Sequence, residues 1–226
     1  MDSPITFHHV ATTLAQAERS YDPFPYFYAK NVFPDDVYEQ IQTYLDKKTD
    51  FQETCFKNRL ISPISRDLPV IDFLFEPDFM QRMFHIFDKQ LKKRFGGKIV
   101  QFARDVRFIQ DSTNYKIGPH TDSPGKVLSL LFYLPKTDEF ESYGTSLFVP
   151  KDPTFICEGG PHHPFENFDE IDRAPYLPNS CFGFWKTNKS FHGVMPITTP
   201  ICRNVLLYNV YDMALMQNKG DSDGNQ

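Results

Sequence analysis

Several things are missing from this sequence, and each absence removes a class of protein. No stretch approaches the roughly 18 apolar residues of a membrane span. Met1 is followed by Asp2, Ser3 and Pro4 rather than by a basic segment and an apolar run, so no secretory leader is expected. The four cysteines, Cys55, Cys157, Cys181 and Cys202, form no C-x-x-C pair. A zinc ribbon or dithiol redox motif is thereby excluded, and reduced, mostly buried thiols are expected. Positive charge is also short: the formal net charge is -5, and the largest basic cluster, Lys92-Lys93-Arg94, reads as one solvated helical turn. An electrostatic footprint for nucleic acid is therefore lacking. Together these absences predict a soluble, cytoplasmic protein with neither nucleic acid nor membrane as a partner.

What is present is a globular composition rich in strand-favouring aromatics, with 40% hydrophobic and 23% charged residues, 23 Phe and 11 Tyr against one Trp. At 226 residues the chain suits one core, since a single core stays workable up to ~250 residues. One domain is expected over 1–217, with helical support at about 34–97, a β core at about 98–212 and a disordered tail at 218–226. The residues up to Tyr21 show no clear period and read as an extended lead-in. Pro34-Asp35-Asp36 opens a helix carrying Val37, Ile41, Tyr44 and Leu45 on one face. A second helix begins at Pro77-Asp78, repeats Phe79, Met83, Phe87 and Leu91, and stops at Gly96-Gly97. Both are expected to pack on a sheet. Short β-rich runs follow at 99–110, 126–134, 145–149, 154–157, 180–186 and 201–211, the pattern of a sandwich or barrel. The polar, proline-bearing segment 159–179 reads as a surface loop beside the site.

Seven histidines are present, and a lone histidine is more often structural than a ligand. His120 and Asp122 stand apart because two residues separated by one in an extended segment point to the same face and can meet one metal. His192, which follows the polar turn Thr187-Asn188-Lys189 and opens a β-like segment, is the best third ligand. Two imidazoles and one carboxylate leave octahedral positions open for a cosubstrate and O2, whereas zinc usually settles for four ligands. Downstream, Arg203 opens the run Asn204-Val205-Leu206-Leu207-Tyr208 and needs an anionic partner. It is either a surface arginine on an edge strand or the bidentate partner of a bound dicarboxylate. His162 and His163, between Pro161 and Pro164, are either a solvated loop or a substrate-facing lid, the solvated loop being favoured. His8, His9 and His85 are expected to be exposed.

Over roughly residues 24 to 212 the chain resembles the Fe(II)/2-oxoglutarate-dependent dioxygenase superfamily, and within it the prolyl 4-hydroxylase-like branch. The segments Tyr115-Lys116-Ile117-Gly118-Pro119-His120-Thr121-Asp122 and Ser190-Phe191-His192-Gly193-Val194 carry the resemblance, with Arg203 following in the family's order. The resemblance implies a mainly β fold with flanking helices: a double-stranded β-helix, a cupin-like jelly roll, with N-terminal helices on its major sheet. It also implies Fe(II) held by His120, Asp122 and His192, with 2-oxoglutarate and O2 as cosubstrates. Arg203 and Tyr133 match the residues that hold the distal carboxylate of 2-oxoglutarate, and Gln110 and Ser129 are further candidates to touch it. Pleating adds support for Tyr133, which shares a strand face with Val127, Ser129 and Leu131. The implied reaction is hydroxylation of an unactivated C–H bond in a peptide or small-molecule substrate, with release of succinate and CO2. Halogenating relatives need a small residue where Asp122 stands. One departure is a single glycine, Gly144, in the strand that is usually glycine-rich. The alternative is a non-catalytic metal-binding β-helix module used for binding or structure. Oligomeric state is not legible.

Overall fold

The computed structural model describes residues 3–64 and 67–216. Where apolar residues alternate with period two they build strands, and where they recur every three or four they build helices that cover one sheet. Twelve strands lie among the described residues, all paired antiparallel in two sheets. They are β1 (Arg19–Ser20), β2 (Tyr26–Lys30), β3 (Gln52–Glu53), β4 (Arg59–Pro63), β5 (Phe102–Ser112), β6 (Ile117–His120), β7 (Lys126–Tyr133), β8 (Thr145–Pro150), β9 (Phe168–Ala174), β10 (Ser180–Trp185), β11 (His192–Val194) and β12 (Cys202–Asp212). The major sheet runs β1-β2-β10-β7-β12-β5-β4-β3, and the minor sheet β6-β11-β8-β9. This is the double-stranded β-helix, mainly β with flanking helices, that the resemblance implies.

Pleating divides the major sheet's side chains between two cores. Val106, Phe108, Leu128, Leu130, Phe132, Leu206 and Tyr208 face outward and meet the helices α2 (Asp35–Lys47) and α3 (Pro77–Ile86) through Val37, Ile41, Leu45, Phe79 and Met83. Ile109, Tyr133, Phe182, Phe184 and Val205 face inward and meet Leu147 and Ala174 of the minor sheet. Each such fully buried large side chain contributes about 1.5–3 kcal/mol relative to exposure. The helices therefore hold the major sheet from outside, and the space between the sheets is left for the site.

Four expectations are corrected. The N-terminal segment is a helix, α1 (Ser3–Gln16), not an extended lead-in. Thr6, Val10 and Leu14 recur every four residues and are fully buried, and Phe7 packs on Phe73 and Phe79. Its period is masked because one of the three buried positions is a threonine. The second expected helix is two, α3 and α4 (Asp88–Phe95), with a break at Phe87 (φ -110°, ψ 31°). No glycine or proline marks the break; the Phe87 ring is buried against Phe27 and Trp185 instead. Part of the 159–179 loop is the edge strand β9, whose central residues Asp169, Glu170, Ile171 and Asp172 are exposed. Charges on an edge strand discourage sheet-to-sheet pairing and also erase the alternation that would reveal it. Residues 154–157 form no strand: Cys157 N–H bonds the Asn188 carbonyl, and Phe155 packs on Phe168 and Phe191.

All four thiols are free, but Cys55 and Cys202 are exposed and only Cys181 is buried. Among the described residues no helix is long and apolar enough to cross a membrane. The tail expected at 218–226 lies outside the described residues.

Candidate metal centre and cosubstrate cavity

β6 ends at His120 and β11 opens at His192, and antiparallel pairing sets these residues directly opposite one another. Directly opposed residues present their side chains on the same face, and the two imidazole centroids lie 4.4 Å apart. Close approach of the strands depends on Gly193, where a β-carbon would collide with the Ile117 carbonyl oxygen. Asp122 follows just beyond β6, and one ligand atom from each of His120, Asp122 and His192 lies within 4.8 Å of the other two. His192 Nε2 is 3.9 Å from Asp122 Oδ2.

Each ring's tautomer is set from behind. His120 Nδ1 lies 3.0 Å from the Gly118 carbonyl and His192 Nδ1 2.9 Å from the Ser190 carbonyl. A carbonyl only accepts, so each Nδ1 carries the hydrogen and each Nε2 keeps its lone pair toward the cluster. Burial lowers the pKa of both histidines, that of His120 further through its neighbour His192, and so holds them neutral. Burial opposes ionisation of Asp122, but Lys126, whose Nζ donates to Oδ1 at 2.7 Å, and the two imidazoles outweigh it and keep the carboxyl well below its usual range. Neutral imidazoles and an ionised carboxylate are the states that a divalent metal requires of its ligands. The donor set suits Fe(II) by chemistry as well as by placement.

The three ligands line one part of a cavity of about 100 Å³, and Arg203 lines another. Arg203 is 1% exposed. Its Nε donates to the Tyr143 carbonyl at 2.7 Å and its Nη1 to Asp111 Oδ2 at 2.8 Å. Its Nη2 is buried with no partner. A buried guanidinium N–H without an acceptor is costly, and a carboxylate in the cavity would satisfy it.

The other expected cosubstrate residues fall differently. Tyr133 is fully buried, and its hydroxyl donates to Thr145 Oγ1 at 2.6 Å and accepts from Thr145 N–H at 3.2 Å. Thr145, not Tyr133, is the member of this pair that reaches the cavity wall. Ser129 lines the cavity on the metal side and donates to Asn209 Oδ1 at 2.8 Å. Gln110 is not on the wall of this cavity; it lines a neighbouring groove with Glu53, Lys57 and Ser112. Strand parity explains this, because Ile109 lines the cavity and the next residue along β5 points to the other face.

The sequence reading missed Arg59, Asp111 and Lys126. Asp111 shares the face of Ile109, so correct parity in β5 would have picked it in place of Gln110. Arg59 opens β4, a strand too short to stand out. Lys126, four residues after Asp122, was legible only as a potential ion-pair partner. His162, expected in a solvated loop, is indeed exposed, yet its ring meets His120 edge-on at 4.6 Å between centroids and lies tilted 5.3 Å from Phe56. His163 packs among Phe155, Phe168 and Phe191.

No protein-family model matches the sequence, and no curated protein matches it. Solved structures do. A prolyl-4-hydroxylase from Pseudomonas putida is similar with TM-score 0.52 at 11% identity, over 91% of this chain and 98% of that one. An oxidoreductase of the 2OG-Fe(II) oxygenase family from Burkholderia pseudomallei gives 0.52 at 11% identity, over 91% and 89%. HygX from Streptomyces hygroscopicus, solved with nickel, 2-oxoglutarate and hygromycin B, gives 0.50 at 10% identity, over 85% of each chain. At such identities the likeness establishes the fold, which is the double-stranded β-helix of 2-oxoglutarate oxygenases.

Proposed function

We propose that this protein is an Fe(II)- and 2-oxoglutarate-dependent dioxygenase of the prolyl 4-hydroxylase-like branch, a hydroxylase acting on a C–H bond of a peptide side chain or small molecule. One observation carries the reading: a single cavity joins a buried His-Asp-His ligand set to an arginine whose Nη2 has no partner. A hydrolytic zinc site needs the first and has no use for the second. When bound, the metal with 2-oxoglutarate and O2 supplies the oxidising power, yielding succinate and CO2 and delivering one oxygen atom to substrate.

The chain's own residues do the rest. The Gly118 and Ser190 carbonyls fix the ligating tautomers of His120 and His192. Lys126 keeps Asp122 ionised and oriented. Arg203 takes the distal carboxylate of 2-oxoglutarate through its free Nη2, and Thr145, oriented by Tyr133, lies on the same cavity wall. Ile109, Leu131, Phe184, Val205 and Leu207 form apolar walls that exclude water from the acid's methylene chain. Substrate enters on the side of His162, the exposed residue set edge-on against His120. We place this activity in one domain, residues 1–217, in the cytoplasm, with neither nucleic acid nor membrane as partner.

The reading is tested by following Fe(II)-dependent succinate formation from 2-oxoglutarate under air. Formation that His192→Ala abolishes supports it. A wild-type protein that holds iron yet forms no succinate above the variant refutes it and leaves a non-catalytic β-helix module.

A further inference from the structure

Across β12, β5 and β4, Arg203, Asp111 and Arg59 stand directly opposite one another in register. Asp111 is fully buried and serves both arginines. Its Oδ2 accepts from Arg203 Nη1 at 2.8 Å and from Arg59 Nη2 at 2.9 Å, and its Oδ1 accepts from Arg59 Nε at 2.6 Å. Arg203 and Asp111 alone would form a neutral pair, and a neutral pair offers an incoming carboxylate little net attraction.

Arg59 changes that balance. Two guanidinium groups now share one carboxylate, so this end of the cavity keeps one positive charge. Arg59 itself lines the cavity, and its guanidinium lies 4.3 Å from the centroid of the buried Tyr115 ring. Tyr115 does not supply the missing negative charge, because burial pushes its phenol up and keeps it neutral. Asp122, the acidic residue that lines the cavity, is matched by Lys126 at the metal side. An unbalanced charge held out of water is costly until an anion arrives, so the excess becomes binding selectivity.

We propose that Arg59 is a specificity-determining residue: by offsetting Asp111 it leaves Arg203 free to select a 2-oxo acid with a second carboxylate over one with a neutral tail. This rests on the oxygenase reading above. Arg203 supplies the contact, and Arg59 supplies the net charge that makes the contact selective.

The test is calorimetric binding to the Ni(II)-loaded full chain, which needs no turnover, using 2-oxoglutarate and 2-oxopentanoate, which keeps the 2-oxo acid head and ends in a methyl group. Arg59→Gln is expected to weaken 2-oxoglutarate by about ten- to a hundredfold and to leave 2-oxopentanoate unchanged. Arg59→Gln/Asp111→Asn, which restores a single positive charge on Arg203, is expected to recover most of the lost affinity. It also keeps the question answerable if the single variant fails to fold, because a double variant that binds the two acids with equal affinity would refute the charge argument. Equal weakening of both acids by Arg59→Gln, or no weakening of either, overturns the proposal while leaving the oxygenase reading standing. Wild-type protein that holds Ni(II) but binds neither acid overturns both.

Discussion

Arg203→Met is the substitution whose cost can be worked out most fully. The side chain is 1% exposed, so solvent does not screen its interactions. Methionine nearly fills the space left by the stem, which makes the cavity contribution small. What is lost is the 2.8 Å charged bond to Asp111 and the 2.7 Å bond to the Tyr143 carbonyl. Removing one partner of a buried ion pair costs about 3–5 kcal/mol because the other charge is left uncompensated. Here Asp111 keeps two bonds to Arg59 and stays balanced by its charge, so the loss falls to that of the charged hydrogen bonds, about 1.5–3 kcal/mol. A second, separate loss is affinity for 2-oxoglutarate: charge-assisted hydrogen bonds contribute about 1.5–3 kcal/mol each, so binding weakens by about ten- to 150-fold. Urea unfolding of the apoprotein reads the first loss, and anaerobic binding to the metal-loaded protein reads the second. A variant within about 0.5 kcal/mol of wild type that binds 2-oxoglutarate as tightly would refute the reasoning on both counts.

Other predictions follow from the same geometry. His120→Ala and His192→Ala each leave two ligands and are expected to lower Fe(II) stoichiometry from one per chain to near zero by metal analysis. Gly193→Val places a side chain against the Ile117 carbonyl and should separate β6 from β11, so metal affinity falls although no ligand is changed; unchanged affinity would contradict the packing. For pH, burial depresses both histidines, so the unfolded chain takes up protons near pH ~6.5 while the folded one does not. Apoprotein stability from these groups is therefore full above that pH and is lost as pH falls through the lower folded values. Asp122, depressed in the fold, adds a further loss below about pH 3.9. Urea midpoints that rise on acidification from about pH 7 to pH 5 would contradict this. Phe132→Ala, at a fully buried ring between sheet and helices, should cost about 3–5 kcal/mol of stability and leave metal stoichiometry at one per chain.

The parts of this fold that were legible are those with strong, uninterrupted local patterns. α2 shows its period through Val37, Ile41 and Leu45, and β7, β8, β10 and β12 show theirs through dense apolar runs bounded by turn residues. His120 and Asp122 were legible because a spacing of two in an extended segment has one geometric meaning. What escaped depends on partners distant in sequence. β9 is half exposed and charged, and only its ladder with β8 makes it a strand. The break at Phe87 is imposed by Phe27 and Trp185, not by a local residue. Arg203 was seen, but its sharing of Asp111 with Arg59 arises from the register of three strands, which no single segment encodes. Asp111, next to Gln110, faces Arg203 because a shift of one residue reverses the face of every side chain in a strand.

The central claim is that one cavity holds both a His-Asp-His iron site and the 2-oxo acid that chelates there. Anaerobic titration of the apoprotein with Fe(II) and then 2-oxoglutarate tests it most directly, through the weak visible charge-transfer absorption expected at about 500 nm for such a chelate on a two-His, one-carboxylate site. The account predicts a band that appears in wild type, weakens in Arg203→Met and is absent in His192→Ala. Bound iron with no band on saturation by 2-oxoglutarate would contradict it.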